Sequence, residues 1–198
     1  MTIDIKEIRQ LKELTGVGLT DAKRALEDSN GDFDKALAAM RKKGLTKAEK
    51  RSAREARAGL IGTYNHDGRI GVLVEVNCET DFVARNELFK TLVKDLAMHI
   101  AASAPLYVDT EAMPTKEKER LHAELTDKAK SEGKPTDHLE NIVEGQLEKY
   151  YEEHCLLKQP FVKNPDQTVK GLVADYAARL GENIVVRRFE RMAIGEVV

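Results

Sequence analysis

Apolar positions along the chain change period near residue 58. Before it the spacing is helical. Asp4 is placed to cap a first helix with Ile5, Ile8, Leu11 and Leu14 along one side. The run Thr15-Gly16-Val17-Gly18 interrupts that pattern. Thr20 can then cap a second helix carrying Ala22, Ala25 and Leu26, closed by Asn30-Gly31. Asp32 opens a third, where Phe33, Ala36, Leu37 and Met40 recur at the i, i+3, i+4, i+7 spacing, with Gly44 as its stop. Three short helices of this kind make a small bundle, marginal in size for folding alone.

Beyond residue 58 the period drops to two. Leu60, Gly62 and Tyr64 alternate with Ile61 and Thr63, and Asp67-Gly68 is a strong hairpin signal. Ile70, Val72, Val74, Val76 and Cys78 then fall on one face, with Gly71, Leu73, Glu75 and Asn77 on the other. The helical period returns over 80–103, where Leu88, Phe89, Leu92, Val93, Leu96, Ala97, Ile100 and Ala101 form a stripe that Pro105 ends. Residues 106–109 read as a short extended piece, and 114–155 as two charged helices around Gly133-Lys134-Pro135. A further amphipathic helix covers 168–180, with Val169, Leu172, Val173, Tyr176, Ala177 and Leu180 inward, and stops at Gly181. A last strand runs from Asn183 to Ala193 through Ile184, Val185, Val186 and Phe189. Strands and helices are segregated, which predicts an α+β fold rather than a parallel α/β sheet. The expected organisation is a three-helix module at 1–45, a basic helical linker at 46–57 and an α+β core at 58–198. That core is a small antiparallel sheet covered by helices, with a helical insertion at about 109–155.

Charge adds to this picture. The 198 residues carry a formal net charge of −2, a balance that argues against a dedicated nucleic-acid binder. The total hides two opposed blocks. Residues 41–57 hold eight bases against two acids, and 109–153 hold thirteen acids against seven bases. The basic run has no aromatic residue to stack on bases, so it reads as a solvated linker helix. No apolar stretch approaches the ~18 residues of a membrane span. The opening MTIDIKEIRQ lacks the apolar segment of a signal peptide, and two cysteines make no disulfide framework. The expectation is a cytoplasmic globular protein with no direct nucleic-acid partner and no membrane partner.

Candidate chemistry is sparse. Around Gly133-Lys134 a phosphate loop is excluded, because Lys128 stands where a glycine is needed and Pro135 where Ser or Thr would be. The histidines His66, His99, His122, His138 and His154 fall at no ligand spacing, so neither metal nor cofactor is expected. Cys78 alternates with Val74 and Val76 and reads as a small buried apolar residue rather than a nucleophile. Cys155 lies at a helix end, where the pattern allows surface or interface. The most unusual segment is Cys78-Glu79-Thr80-Asp81-Phe82-Val83-Ala84-Arg85-Asn86, at the passage from strand to helix. Thr80 is a good N-cap, and Asp81 suits a first helical turn. Two readings stand side by side. Either these residues only cap, with Phe82 in the core, or they project rigidly, with an acid beside an exposed Phe82 as a wedge for a partner.

Three stretches resemble the bacterial elongation factor Ts family: LKELTGVGLTDAKRALEDSNGDFDKALAAMRKKG at 11–44, GVLVEVNCETDFVARNELF at 71–89, and LLKQPFVKNPDQTV with GENIVVRRFER and GE within 156–196. The resemblance runs almost end to end and in the same order. It implies a guanine nucleotide exchange factor for elongation factor Tu, the GTPase that delivers aminoacyl-tRNA to the ribosome. Such a factor binds the GDP form, displaces Mg2+ and promotes GDP release so that GTP can bind, without bond chemistry. The bundle at 1–45 resembles the family's ubiquitin-associated-like domain, which docks on the GTPase domain. Thr80, Asp81, Phe82 and Val83 match the family's TDFV element, associated with dislodging Mg2+ from elongation factor Tu. By that resemblance Phe82 is a wedge between helices of the GTPase, and Asp81 disturbs the groups around metal and phosphates. Longer members carry two related core subdomains. This chain has one and resembles the short form, which implies a homodimer. Two other classes remain open: a non-catalytic adaptor that grips through the three-helix module, and a thiol hydrolase resting on Cys78 or Cys155.

Overall fold

Short helices persist in water only when they share an apolar seam, and the first part of the chain supplies one. The computed structural model describes residues 4–15, 19–133, 135 and 138–196, with side-chain positions for all of these but 13–15 and 41–50. Its contacts divide into two units, Met1–Arg54 and Glu55–Val198. In the first, α1 (Ile5–Thr15), α2 (Leu19–Asp28) and α3 (Phe33–Ser52) close on Leu11, Ala22, Ala25, Leu26, Ala36 and Met40. Asp4 accepts the Lys6 amide at 2.9 Å and Asp32 the Lys35 amide at 3.0 Å, so both cap their helices as expected. Asn30 turns left-handed (φ 53°), and the Gly31 N–H donates back to the Leu26 carbonyl, closing α2. Three details differ from the sequence reading. α2 begins at Leu19, so Thr20 lies inside it and not at its cap. Ile5 is exposed. Gly44 does not stop α3, which continues to Ser52, so the third helix runs on into the expected linker. One glycine costs a helix only about 1 kcal/mol. The breaker glycines Gly16 and Gly18, the Leu14 side chain and Lys134 lie outside the described residues.

The second unit is a three-stranded antiparallel sheet with helices on one face. β1 (Ala58–His66) and β2 (Ile70–Cys78) pair along their whole length. Between them Asp67 (φ 51°) and Gly68 (φ 69°) both take positive φ, as a primed hairpin turn requires, and the Arg69 N–H donates to the His66 carbonyl at 2.9 Å. β5, the strand Val185–Ala193, pairs with the other edge of β2. β2 is therefore central. Val72, Val74, Val76 and Cys78 are buried on its inner face, as the alternation predicts. One helix, α5 (Glu87–Ser103), crosses β1 and β2 and buries Phe89, Leu92, Val93, Leu96, Ala97, Ile100 and Ala101. A Cβ on Gly62 would collide with the Val93 methyl and stand 3.2 Å from the Val93 carbonyl oxygen, so glycine lets helix and strand approach. Leu88, expected in the stripe, is exposed; His99, absent from it, is fully buried. Another helix, α8 (Val169–Leu180), packs beside α5, capped by Thr168.

Two features were not foreseen. The first is a small hairpin of β3 (Pro160–Phe161) and β4 (Asn164–Thr168). His99 ties it to α5. Its Nδ1 accepts the Val162 N–H (3.3 Å), and its Nε2 lies 2.9 Å from Gln159 Oε1. A backbone N–H can only donate, so Nδ1 is the acceptor and the ring is neutral with its proton on Nε2. The second is the closure of the insertion formed by α6 (Thr115–Ser131) and α7 (Leu139–His154). Leu106 and Tyr107 N–H groups donate to the His154 carbonyl, and the Leu156 N–H to the Tyr107 carbonyl. Cys155 sits in this clasp fully buried, not at a surface or interface.

Burial pulls the His99 pKa below its usual value, with Gln159 opposing. As pH falls below about 6.5 the unfolded chain protonates first, so stability is full above that pH and declines below it, levelling once the folded ring also titrates. Melting temperatures taken from about pH 7.5 to about pH 5.5 should fall. His99→Gln should flatten that slope, and a slope kept in the variant would assign it to other groups.

Candidate functional site

Strand β2 delivers the chain to a double reversal. Cys78 is the last core residue, and its S–H donates to the Thr80 carbonyl at 3.3 Å. Thr80 is extended (φ −130°, ψ 154°) and caps α4 (Asp81–Ala84), its Oγ1 accepting the Val83 N–H at 3.4 Å. The helix is a single turn. The Ala84 N–H donates to the Thr80 carbonyl and the Arg85 N–H to the Asp81 carbonyl, each at 3.1 Å. Asn86 then caps α5 by accepting the Leu88 N–H at 2.9 Å. Two helices thus start within seven residues because Thr80 and Asn86 are both N-cap residue types.

A second set of bonds comes from far along the chain. Glu182 follows Gly181, the left-handed residue that ends α8. Its Oε2 accepts the Glu79 N–H at 2.9 Å and the Thr80 N–H at 3.0 Å, and its Oε1 accepts the Thr80 hydroxyl at 2.6 Å. In return Glu79 Oε1 accepts the Asn183 N–H at 2.6 Å. The β2–α4 junction and the α8–β5 junction are lashed together by these charge-assisted bonds.

The four residues singled out by sequence therefore divide. Thr80 is occupied as a cap and as a donor to Glu182. Val83 is half-buried against the core, and Ala84 beyond it is buried. Asp81 is exposed, with the Arg85 guanidinium 4.0 Å away, a surface pair of little energetic weight. Phe82 is 90% exposed. Of the two readings of this segment, a core Phe82 is overturned. A lone exposed apolar residue is common, but an aromatic ring in solvent on a turn fixed at both ends is not a loose loop side chain.

The other candidates are inert in place. The Cys78 thiol is pushed up to about 11 by burial and then by the Glu182 carboxylate, so a reactive thiolate is disfavoured. Burial also raises the Cys155 thiol, with Asp109 adding to it. His99 is spent in its buried bonds, and His154 stacks on Tyr150 with ring centroids 4.0 Å apart. Among the described residues no three His, Cys, Asp or Glu side chains gather as metal ligands, and no helix is long and apolar enough to cross a membrane. Sequence reasoning missed Glu79 and Glu182. Two signals were present. Val83 stands where Glu or Gln would complete a capping box, and Glu182 lies just past a helix C-terminus, where an acid is disfavoured by the dipole.

A separate helical unit and a sheet core with a fixed, solvent-facing aromatic beside an acid define an α+β protein whose candidate site is a presented surface. Residues 21–196 match the family model described as Elongation factor TS. The chain is 50% identical over 197 residues to the Elongation factor Ts of Geotalea uraniireducens (strain Rf4), covering 99% of this chain and 91% of that protein. It is 48% identical over 200 residues to that of Thermodesulfovibrio yellowstonii, covering 99% and 98%. With that of Carboxydothermus hydrogenoformans the identity is 50% over 190 residues, covering 96% and 88%. The chain belongs to the elongation factor Ts family of translation elongation.

Since its ring is already in water, Phe82→Ala should change the free energy of unfolding by no more than about 0.5 kcal/mol in urea titration. Thr80→Ala should cost about 1 kcal/mol or more through the lost cap. A Phe82→Ala loss as large as that of a core truncation would return the ring to the interior.

Proposed function

We propose that this chain is a guanine nucleotide exchange factor for elongation factor Tu. The observation that carries the reading is Phe82, held 90% exposed at a doubly capped junction. In this reading the ring wedges between helices of the GTPase. Asp81, exposed one position earlier, acts on the surroundings of Mg2+ and the phosphates. Thr80 and Val83 hold the turn that carries them. The three-helix module at the N-terminus docks on the GTPase domain, and the protein works where that GTPase does, in the cytoplasm.

Nucleotide and metal are held on a GTPase by oriented phosphate contacts and by charge neutralisation. A partner that binds best when those contacts are broken weakens the nucleotide as much as the nucleotide weakens it. Mg2+ is displaced, GDP leaves and GTP can enter. No bond is made or cut in the process, so no acid, base or nucleophile is required of this chain.

Release of fluorescent GDP from elongation factor Tu tests the reading. The protein should accelerate release, and Phe82→Ala should cut the acceleration by about tenfold or more, the scale of an aromatic interface anchor. Binding without acceleration would instead favour the adaptor class and overturn exchange.

The core sheet supports a homodimer as a second part of the proposal. On its outer face Ile61, Leu73 and Met192 are 67%, 52% and 76% exposed. Beside them Arg188 donates to Glu75 at 2.8 Å and holds its carboxyl below the usual range. A patch with apolar centre and both charges is self-complementary about a two-fold axis. Sedimentation should show a dimer that Leu73→Lys converts to monomer. A wild-type monomer at the concentrations used for exchange would exclude it.

A further inference from the structure

Thr80 opens α4 as one half of a capping box. In a complete box the N3 side chain, Glu or Gln, returns to accept the N-cap amide. Here N3 is Val83, turned to the core. The acceptor comes instead from Glu182, 102 residues further along, which takes the Thr80 amide, the Glu79 amide and the Thr80 hydroxyl together. We propose that Glu182 is the positioning residue of the wedge: its carboxylate completes the cap of α4 across the fold and so fixes the pose of Phe82. The proposal rests on the reading of Thr80–Val83 as the exchange element.

Three observations converge on it. α4 has four residues, far below the length at which a helix sustains itself, so its order must come from outside. Glu182 stands just beyond the C-terminus of α8, where the dipole of its own helix disfavours a carboxylate. Nothing in α8 accounts for an acid at that position, whereas three donors from the 79–80 turn do. The contact is also reciprocal, with the Asn183 amide donating to Glu79. Both junctions are therefore constrained in position and in rotation. The ring itself makes no bond to Glu182. Loss of the carboxylate would leave Phe82 exposed but spread over many poses, which lowers the rate of exchange within the complex more than the affinity for forming it.

The test uses the full chain and two readouts. By amide hydrogen exchange, Glu182→Ala should lower protection at Ala84 and Arg85, whose N–H groups close α4, by at least about tenfold, with β2 amides unchanged. Glu182→Gln keeps one oxygen able to accept both backbone amides. It should restore most of that protection, and if alanine folds poorly Glu182→Met, which keeps the bulk and removes both oxygens, takes its place with the same expected loss. In GDP release from elongation factor Tu, Glu182→Ala should lower the maximal rate about tenfold in the wild-type background and less than about twofold in the Phe82→Ala background. Unchanged protection at Ala84 and Arg85 in Glu182→Ala would overturn the proposal, and so would an equal loss of rate in both backgrounds. If the wild-type protein does not accelerate GDP release the exchange reading fails, and if Phe82→Ala alone leaves the acceleration unaltered the wedge role of Phe82 fails; in either case protection at Ala84 and Arg85 still decides whether Glu182 holds α4.

Discussion

The larger unit depends on the burial of one face of one strand. β2 carries Val72, Val74, Val76 and Cys78 into the core and is paired along both edges. Each of the three valines contributes on the order of 1.5–3 kcal/mol on burial. The pairing leaves the backbone no freedom to slip, because a one-residue shift would turn all four outward. α5 closes over this face at the distance Gly62 permits. The end of β2 is therefore a fixed point, and Glu79 and Thr80 start from it. Whatever α4 presents is positioned by the core first and by local helix formation second.

What was legible in the sequence follows the range of the interactions. The β1–β2 hairpin could be read because its alternation and its Asp67-Gly68 turn are local. Caps at Asp4 and Asp32 were similarly plain from residue type, whereas the Thr168 cap of α8 was not singled out. The α5 stripe was right in its centre and wrong at Leu88, in the first turn at the margin of the apolar face. His99 escaped because its partner, Gln159, is 60 residues away. β3 and β4 were hidden by Pro160 and Pro165, residues that argue against a strand everywhere except at edges and ends. Cys155 looked peripheral because the clasp with Tyr107 that buries it joins segments on either side of the insertion. In the TDFV element the spacing showed a cap, but the solvent position of Phe82 and the role of Glu182 both depend on contacts made across the fold.

The insertion shows how the chain carries a strongly acidic block without disturbing the sheet. Its two ends meet at the Tyr107–Cys155 bridge, so the core sees a closed loop, and the entropy of closure grows only slowly with the length between. Within it Arg120 pairs with Glu117 and Glu124 along α6, with most of these side chains well exposed. Such pairs are worth little each. Charge of this kind bears on the encounter with a partner more than on the stability of a fold. The near-neutral total of the whole chain is then a poor guide to its surface, since the acids of this block are offset by bases elsewhere in the sequence.

A four-residue helix has too few positions for everything asked of it. It must be capped, anchored, and still present an acid and an aromatic. Successive residues on a helix are rotated by about 100°, so the four cannot all face one way. A self-contained capping box would place Glu or Gln at N3 and lose the apolar anchor that Val83 provides. Removing the anchor would leave the turn held at its first residue alone. Supplying the acceptor from Glu182 resolves the conflict: Thr80 is capped from outside, Val83 stays against the core, and Asp81 and Phe82 are released to solvent. The cost is that the turn no longer folds on its own information. It becomes a tertiary structure, formed only when α8 and β5 have docked, and its geometry is as well defined as the core that assembles it.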